Sequence, residues 1–398
     1  MGPYGAGRER RLALSDISVF SEVREAIVGT GGDPIQICME CGTCTATCPW
    51  GRLAEPSPFN IRAMMHMGRL GYEGFETEDV LYACTTCSHC AARCPRQVRI
   101  VDVVRAMRNV IGETGSIPKT LRAPVGSIKA NGNPWGQERA DRCLWMKDLE
   151  VPAFTPDTEY FLYVCCTSAY DGRSQAIARS VVRLLQRAGV SFGVIGVEEQ
   201  CCGESLRKIG AEEDFINLAQ ANVALFQKKG VRKIVTTSPH TLYTLKKEYP
   251  ELGGQFEVIH YTELLARLIG EGKLSFHAVP ETTVIYHDPC YLGRHNGIYE
   301  QPRQLLAAVP GVNLIDFEPT AQDSLCCGGG GARIWMETKP GMRFADQKVQ
   351  QAAEKGAGIL ATACPYCIVM LEDSARNLGY AETMPVKDIS EILVQALD

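Results

Sequence analysis

The sequence predicts an α+β multidomain protein, with a helical N-terminal domain organised by cysteine loops and two following α/β domains related by an internal repeat. Three observations carry this expectation. One four-cysteine pattern occurs twice in the first 95 residues, and apolar residues at helical spacing flank both copies. Farther on, short apolar runs alternate with helical patterns, and this block occurs in two copies.

Residues 1–115 read as helices between cysteine loops. Ile17, Phe20, Val23 and Ile27 recur at helical spacing before Gly29, Gly31 and Gly32. A second helix is expected to open at Ser57-Pro58, a capping residue followed by a first-turn proline, and to run from Ile61 to Leu70. A third places Ile100, Val103, Val104, Met107 and Ile111 on one face. Residues 116–157 contain Pro118, Pro124, Pro134, Pro152 and Pro156 with Gly126, Gly132 and Gly136, and read as a linker lying on the surface.

Residues 158–275 and 280–398 read as the two α/β domains. The first opens with a strand-like run from Tyr160 to Val164, then a helical set of Ile177, Val181, Leu184 and Leu185. Cys201-Cys202-Gly203 returns as Cys326-Cys327-Gly328, and Lys229-Gly230 to Leu245 returns as Lys355-Gly356 to Leu371.

At 398 residues and 45% hydrophobic, the chain can bury a core in each domain. A net charge of −5 supplies no basic field, which argues against nucleic acid as a partner. The 18 cysteines are tightly clustered within a long chain, which favours metal ligation in a reducing, cytoplasmic compartment over a disulfide framework. Arg8, Arg10 and Arg11 are followed by Asp16, Glu22, Arg24 and Glu25, so no apolar signal segment is expected. No run of about 18 apolar residues occurs, so membrane association is expected only through a partner subunit.

Cys38, Cys41, Cys44 and Cys48-Pro49 have the spacing C-x2-C-x2-C-x3-C-P, and Cys84, Cys87, Cys90 and Cys94-Pro95 repeat it. Three thiolates spaced two apart wrap one cubane, while the fourth reaches the other cluster. Cluster one should use Cys38, Cys41, Cys44 and Cys94; cluster two should use Cys84, Cys87, Cys90 and Cys48. Two zinc sites are the alternative, but zinc takes C-x2-C pairs without a third evenly spaced cysteine and a Cys-Pro. His89 reads as a packing or hydrogen-bonding neighbour. Met64, Met65 and Met67 are expected to pack around the clusters and exclude water.

Near the C-terminus Cys290, Cys326, Cys327, Cys364 and Cys367 form one group, and Cys364 directly follows the strand-like run from Gly358 to Ala363. Ligand loops at strand ends are a usual site in α/β folds. Five thiols exceed a four-coordinate zinc site, which suggests a polynuclear centre, with a redox dithiol as the alternative.

His287-Asp288-Pro289-Cys290, Cys326-Cys327-Gly328-Gly329-Gly330-Gly331 and Ala363-Cys364-Pro365-Tyr366-Cys367 resemble the signature of the cysteine-rich CCG domain of heterodisulfide reductases. With the N-terminal part, the whole resembles the fused, D-type chain of heterodisulfide reductase. Iron–sulfur subunits of glycolate and lactate oxidases, ETF-linked membrane oxidoreductases and class II benzoyl-CoA reductase are similar. The resemblance implies a noncubane [4Fe–4S] cluster on Cys290, Cys326, Cys327, Cys364 and Cys367.

The first CCG copy departs from that pattern. Cys166, Cys201 and Cys202 are present, but Ser238-Pro239-His240-Thr241 stands where the second has Cys364-Pro365-Tyr366-Cys367. Serine and threonine replace thiolate poorly at iron, so this cluster is expected to be lost or altered. Cys165 offers a fourth ligand to a residual cluster. His240 offers either an imidazole ligand or, as the favoured reading, a hydrogen bond.

Gly328 to Gly331 lacks the phosphate-loop Lys and Ser/Thr; glycines here let backbone approach and N–H groups reach sulfur. His260 and His287, near strand ends, read as core or hydrogen-bonding histidines, and Cys143 as a small buried hydrophobe.

The leading expectation is an electron-transfer subunit of a multi-subunit oxidoreductase, relaying electrons through two cubanes to or from the noncubane centre. Partners would be a flavoprotein or other redox subunit and a membrane-bound cytochrome or quinone-reactive subunit at the inner face of the membrane. The enzyme alternative is a heterodisulfide or quinone reductase acting at the Cys290 centre. A zinc-stabilised scaffold is the non-redox alternative.

Overall fold

A computed structural model describes residues 20–53, 59–72, 79–339 and 341–397. The expected helix positions at Ile17 and Ser57-Pro58 lie outside the described residues. The helix Ile61–Leu70 starts from Asn60, whose side chain accepts from the Ala63 N–H and so caps the first turn. Helix Ile100–Glu113 buries Ile100, Val103, Val104, Met107 and Ile111, the face its periodicity marks.

Two parallel sheets follow. The first contains β1 (Tyr160–Tyr163), β2 (Phe192–Gly193), β3 (Lys233–Thr236) and β4 (Glu257–His260), in the order β2-β1-β3-β4. The second contains β5 (Thr282–Tyr286), β6 (Val312–Asp316), β7 (Ile359–Thr362) and β8 (Val386–Asp388), in the order β6-β5-β7-β8. The expected repeat is thus a repeat of topology. All four residues of β1 are buried, as parallel strands covered by helices on both faces require. In each sheet the chain leaves the first strand for one neighbour and returns for the other, so a crevice forms at the C-terminal strand ends.

The repeats pack around a pseudo-twofold axis. Helix Gln175–Arg187 of the first meets helix Ile389–Gln395 of the second, and Tyr261–Gly270 meets Glu300–Ala307. Both final helices open with a capping box, His260 with Glu263 and Asp388 with Glu391. The Tyr261 hydroxyl donates to Asp388 at 2.7 Å across the interface.

The segment 116–157, read as a surface linker, is itself folded and partly buried. Helix Lys119–Asn131 and a 3-10 segment Arg139–Met146 lie there and bury Leu121, Ile128, Arg142 and Trp145. The breakers bound the helix instead of abolishing it: Pro118 precedes its first turn, and Gly132 ends it at φ +70°. Pro124 and Gly126 sit inside.

Arg108 joins the three parts. Its buried guanidinium donates to the carbonyls of Leu81 and Cys84 in the helical domain, Lys208 in the first repeat and Gly331 in the second. Among the described residues no helix is long and apolar enough to cross a membrane.

Candidate metal centres

Cys38, Cys41, Cys44 and Cys94 line one cavity, closed from within by Met65, Val98 and Ile100. Left-handed backbone at Glu40 (φ +56°) and Gly42 (φ +83°) turns the loop around it. The Glu40 N–H reaches Cys38 Sγ and the Val98 N–H reaches Cys94 Sγ, each at 3.4 Å. Cys41 is exposed, so this site meets the surface.

Cys48, Cys84, Cys87 and Cys90 are buried together. Burial, then the neighbouring Cys87, Cys84 and Cys48 thiols, hold the Cys90 thiol well above its ordinary range. Cys84 is pushed up to about 11, chiefly by burial. Met64 and Met65 are buried in the same apolar cluster, and Met67 packs at its edge. His89 is buried with Nε2 3.5 Å from Asp323.

In the second repeat Cys290 follows β5, Cys326-Cys327 follow β6 and Cys364 follows β7, so three adjacent parallel strands deliver their loops to one end. Sulfur contacts join Cys290 to Cys326, Cys327 to Cys367 at 3.3 Å, and Cys367 to Cys364. The Gly328 N–H donates to Cys326 Sγ at 3.3 Å. His287, which sequence reasoning left in the core, lies with Cys327 and Cys367, their ligand atoms within 4.8 Å of one another. Both of its ring nitrogens are buried without a hydrogen-bond partner, and burial followed by the Lys348 charge lowers its pKa to about 3. Its place three residues before Cys290 was the available signal.

The first repeat keeps a counterpart of the site with fewer matching thiols, lined by Cys165, Cys166, Cys201, Cys202, Ser238 and Thr241. The Cys166 thiol is lowered to about 7 by a hydrogen bond with Cys201 and, against burial, by the charge of Arg142, whose Nη1 is 3.5 Å away. Arg142 is itself paired with buried Glu199. Cys202 Sγ lies 3.6 Å from the Thr241 hydroxyl. Cys165 instead turns to Ser168, whose N–H it accepts at 3.5 Å. His240 lines the same site with Glu204, its Nδ1 3.0 Å from that carboxylate, while its ring stacks on Tyr291 at 3.9 Å and it hydrogen-bonds Cys364 of the second repeat.

Sequence reasoning missed how the second cubane motif meets the second repeat. Cys87 is in sulfur contact with Cys326, Thr86 shares a 2.9 Å hydroxyl bond with Tyr291, and Arg294 Nε donates to the Cys87 carbonyl at 2.6 Å. A Cβ on Gly331 would fall 2.3 Å from the Cys84 carbonyl oxygen, so the glycine run permits this contact.

The donor chemistry fits iron–sulfur clusters. All 18 cysteines are free although several thiols touch, the donors are soft sulfur, and backbone N–H groups point at them.

Comparison with known proteins agrees. Residues 34–98 match the 4Fe-4S dicluster domain, and residues 160–246 and 284–372 each match the cysteine-rich domain CCG. The D chain of the dihydromethanophenazine:CoB–CoM heterodisulfide reductase of Methanosarcina barkeri is 30% identical over 394 residues, covering 91% of this chain and 94% of that one. The chain belongs to the heterodisulfide reductase D family of iron–sulfur oxidoreductases. This heterodisulfide reductase D family member is also similar to the probable iron-sulfur-binding oxidoreductase FadF of Bacillus subtilis, 33% identical over 90% of this chain. The EtfAB:quinone oxidoreductase of Syntrophomonas wolfei is 36% identical over 80% of it. The chain spans only 59% and 47% of those two proteins. A hypothetical protein from Helicobacter pylori shares the fold, with a TM-score of 0.50 at 12% identity over 95% of this chain and 73% of that one. In this heterodisulfide reductase D relative, the dicluster match contains all eight N-terminal motif cysteines and the second cysteine-rich match all five C-terminal ones.

Proposed function

We propose that this chain is the electron-transfer subunit of a multi-subunit, heterodisulfide-reductase-like oxidoreductase. Its residues would hold one cubane [4Fe–4S] cluster on Cys38, Cys41, Cys44 and Cys94 and a second on Cys84, Cys87, Cys90 and Cys48. Cys290, Cys326, Cys327, Cys364 and Cys367 would hold a noncubane [4Fe–4S] cluster. When bound, such groups supply one-electron transfer.

The contact of Cys87 with Cys326 carries this reading, because it sets the second cubane motif directly against the C-terminal thiols. Cys41 is exposed, whereas the thiols of the other two groups are buried. Trp50, Met64 and Met65 keep water from the inner thiols, and Arg108 and Arg294 supply positive charge beside them. Ser238 and Thr241 leave the first repeat short of thiolates, which favours relay over a reaction needing two equivalent centres. Partners would be a flavoprotein and a quinone-reactive or cytochrome subunit at the inner membrane face.

A groove favours a second reading, direct reduction of a disulfide or quinone. Trp335, Arg333 and Met370 line it, and Met370 packs against Gly329 of the glycine run.

Anaerobic iron and sulfide quantitation with EPR tests the proposal: two cubane signals and one noncubane signal are expected. Cys327→Ala should remove the noncubane signal alone. Colourless protein containing zinc would overturn the assignment.

A further inference from the structure

The chain carries a net charge of −5, yet the surface over the first cubane motif is basic. Arg62 and Arg96 line the Cys38–Cys94 cavity, and both are exposed. The Arg62 side chain lies over the loop, its Cδ 3.5 Å from where a Cβ on Gly42 would stand. Nearby Arg69 is held by Glu40 and Arg99 by Asp102, whereas Arg62 and Arg96 pair with no carboxylate among the described residues. They are the cations left for a partner.

The same loop raises two large apolar side chains into water, Ile37 at 47% and Met39 at 55% exposure. Apolar tips ringed by free cations, with an exposed thiol between them, are what a redox interface needs: a small dry contact at the closest approach, and charge at the rim to steer encounter. The other motif thiols, Cys48, Cys84, Cys87 and Cys90, are buried and offer no such approach.

We propose that this face, centred on Cys41, is the docking surface for an acidic-faced one-electron carrier protein, with Ile37 and Met39 at its centre and Arg62 and Arg96 at its rim. The proposal rests on the electron-transfer reading and adds where the partner binds and what charge it presents. A lipid surface is the poorer match, since polybasic membrane anchors use clusters of about four to eight cations.

The test uses the full, cluster-loaded chain in stopped-flow with reduced flavodoxin, a small acidic flavoprotein, as the probe. Wild-type reduction should be fast at low salt and slow as salt rises. Arg62→Glu with Arg96→Glu should lower the low-salt rate roughly tenfold or more and flatten or invert the salt dependence. A charge-matched reversal of Lys228 and Lys246 in the first repeat should leave both unchanged. EPR of each variant before mixing reports cluster content, so absence of clusters would count against the functional reading and not against the surface. Equal rates in wild type and the arginine variant, or an equal loss in the lysine variant, would overturn the proposal. So would arginine-dependent binding to phosphatidylglycerol vesicles without any effect on the flavodoxin rate.

Discussion

His240 and Tyr366 hold the same place in the two repeats, and their rings meet with 4.6 Å between centroids. Each follows the proline of its motif and leans into the other repeat: His240 hydrogen-bonds Cys364, and the Tyr366 hydroxyl lies 3.3 Å from that of Ser205. Burial disfavours an imidazolium at His240, but the Glu204 carboxylate and the Cys364 thiol outweigh it and raise its pKa to about 10. His240→Phe keeps a ring in the stack but leaves Glu204 buried without its cation. Breaking one side of a buried pair costs roughly 3–5 kcal/mol. Urea unfolding should show that loss, and adding Glu204→Gln should recover most of it. An unchanged midpoint in His240→Phe would mean the pair does not hold the repeats together.

Much of the grouping of the cysteines was legible because closely spaced cysteine loops are local. The spacing from Cys38 to Cys48 and from Cys84 to Cys94 needs no tertiary knowledge, and Cys364 after an apolar run already implied a strand end. The replacement of two cysteines by Ser238 and Thr241 was equally plain. The meeting of Cys87 with Cys326 was not, because it depends on how separate domains pack, and sequence periodicity is silent about that. The same limit hid Arg108 and Arg294, whose partners are backbone carbonyls with no signature of their own. Residues 116–157 misled for a different reason. Proline and glycine counts were read as disorder of pattern, when Pro118 and Gly132 sit at the two ends of one helix.

Arg294 should set the reduction potential of the inner centres. Its Nε donates to the Cys87 carbonyl, its Nη1 to the Ser324 carbonyl at 2.8 Å, and its Nη2 is buried without a partner. Burial opposes its charge, yet the Cys87, Cys290 and Cys326 thiols together raise its pKa. A positive charge there favours the added electron. Arg294→Gln is therefore expected to lower the midpoint potentials of the clusters proposed on Cys87 and Cys326. Each tenfold change in the reduction equilibrium appears as about 59 mV for one electron. Arg294→Lys, which keeps the charge, should restore most of the shift. EPR-monitored redox titration reads both, and equal potentials in wild type and Arg294→Gln would refute the assignment.

Asp388 links the repeat interface to pH. It caps helix Ile389–Gln395, accepts from Tyr261 of the first repeat, and is fully buried with Oδ2 lacking a partner. Burial pushes its carboxyl up to about 7, against the hydrogen bonds from Ser390 and Tyr261. Because the folded pKa lies above the unfolded one, its contribution to stability is complete below about pH 4 and is lost as pH rises towards 7. Asparagine can keep the cap and the Tyr261 bond through its carbonyl oxygen, but it does not titrate. The stability of Asp388→Asn relative to wild type should therefore climb across that window and level off above about pH 7. The full span is roughly 4 kcal/mol at about 1.4 kcal/mol per pH unit. Urea midpoints at pH 5 and pH 8 should differ in the variant's favour by more at pH 8. A constant difference at both pH values would show that Asp388 stays ionised in the folded protein throughout.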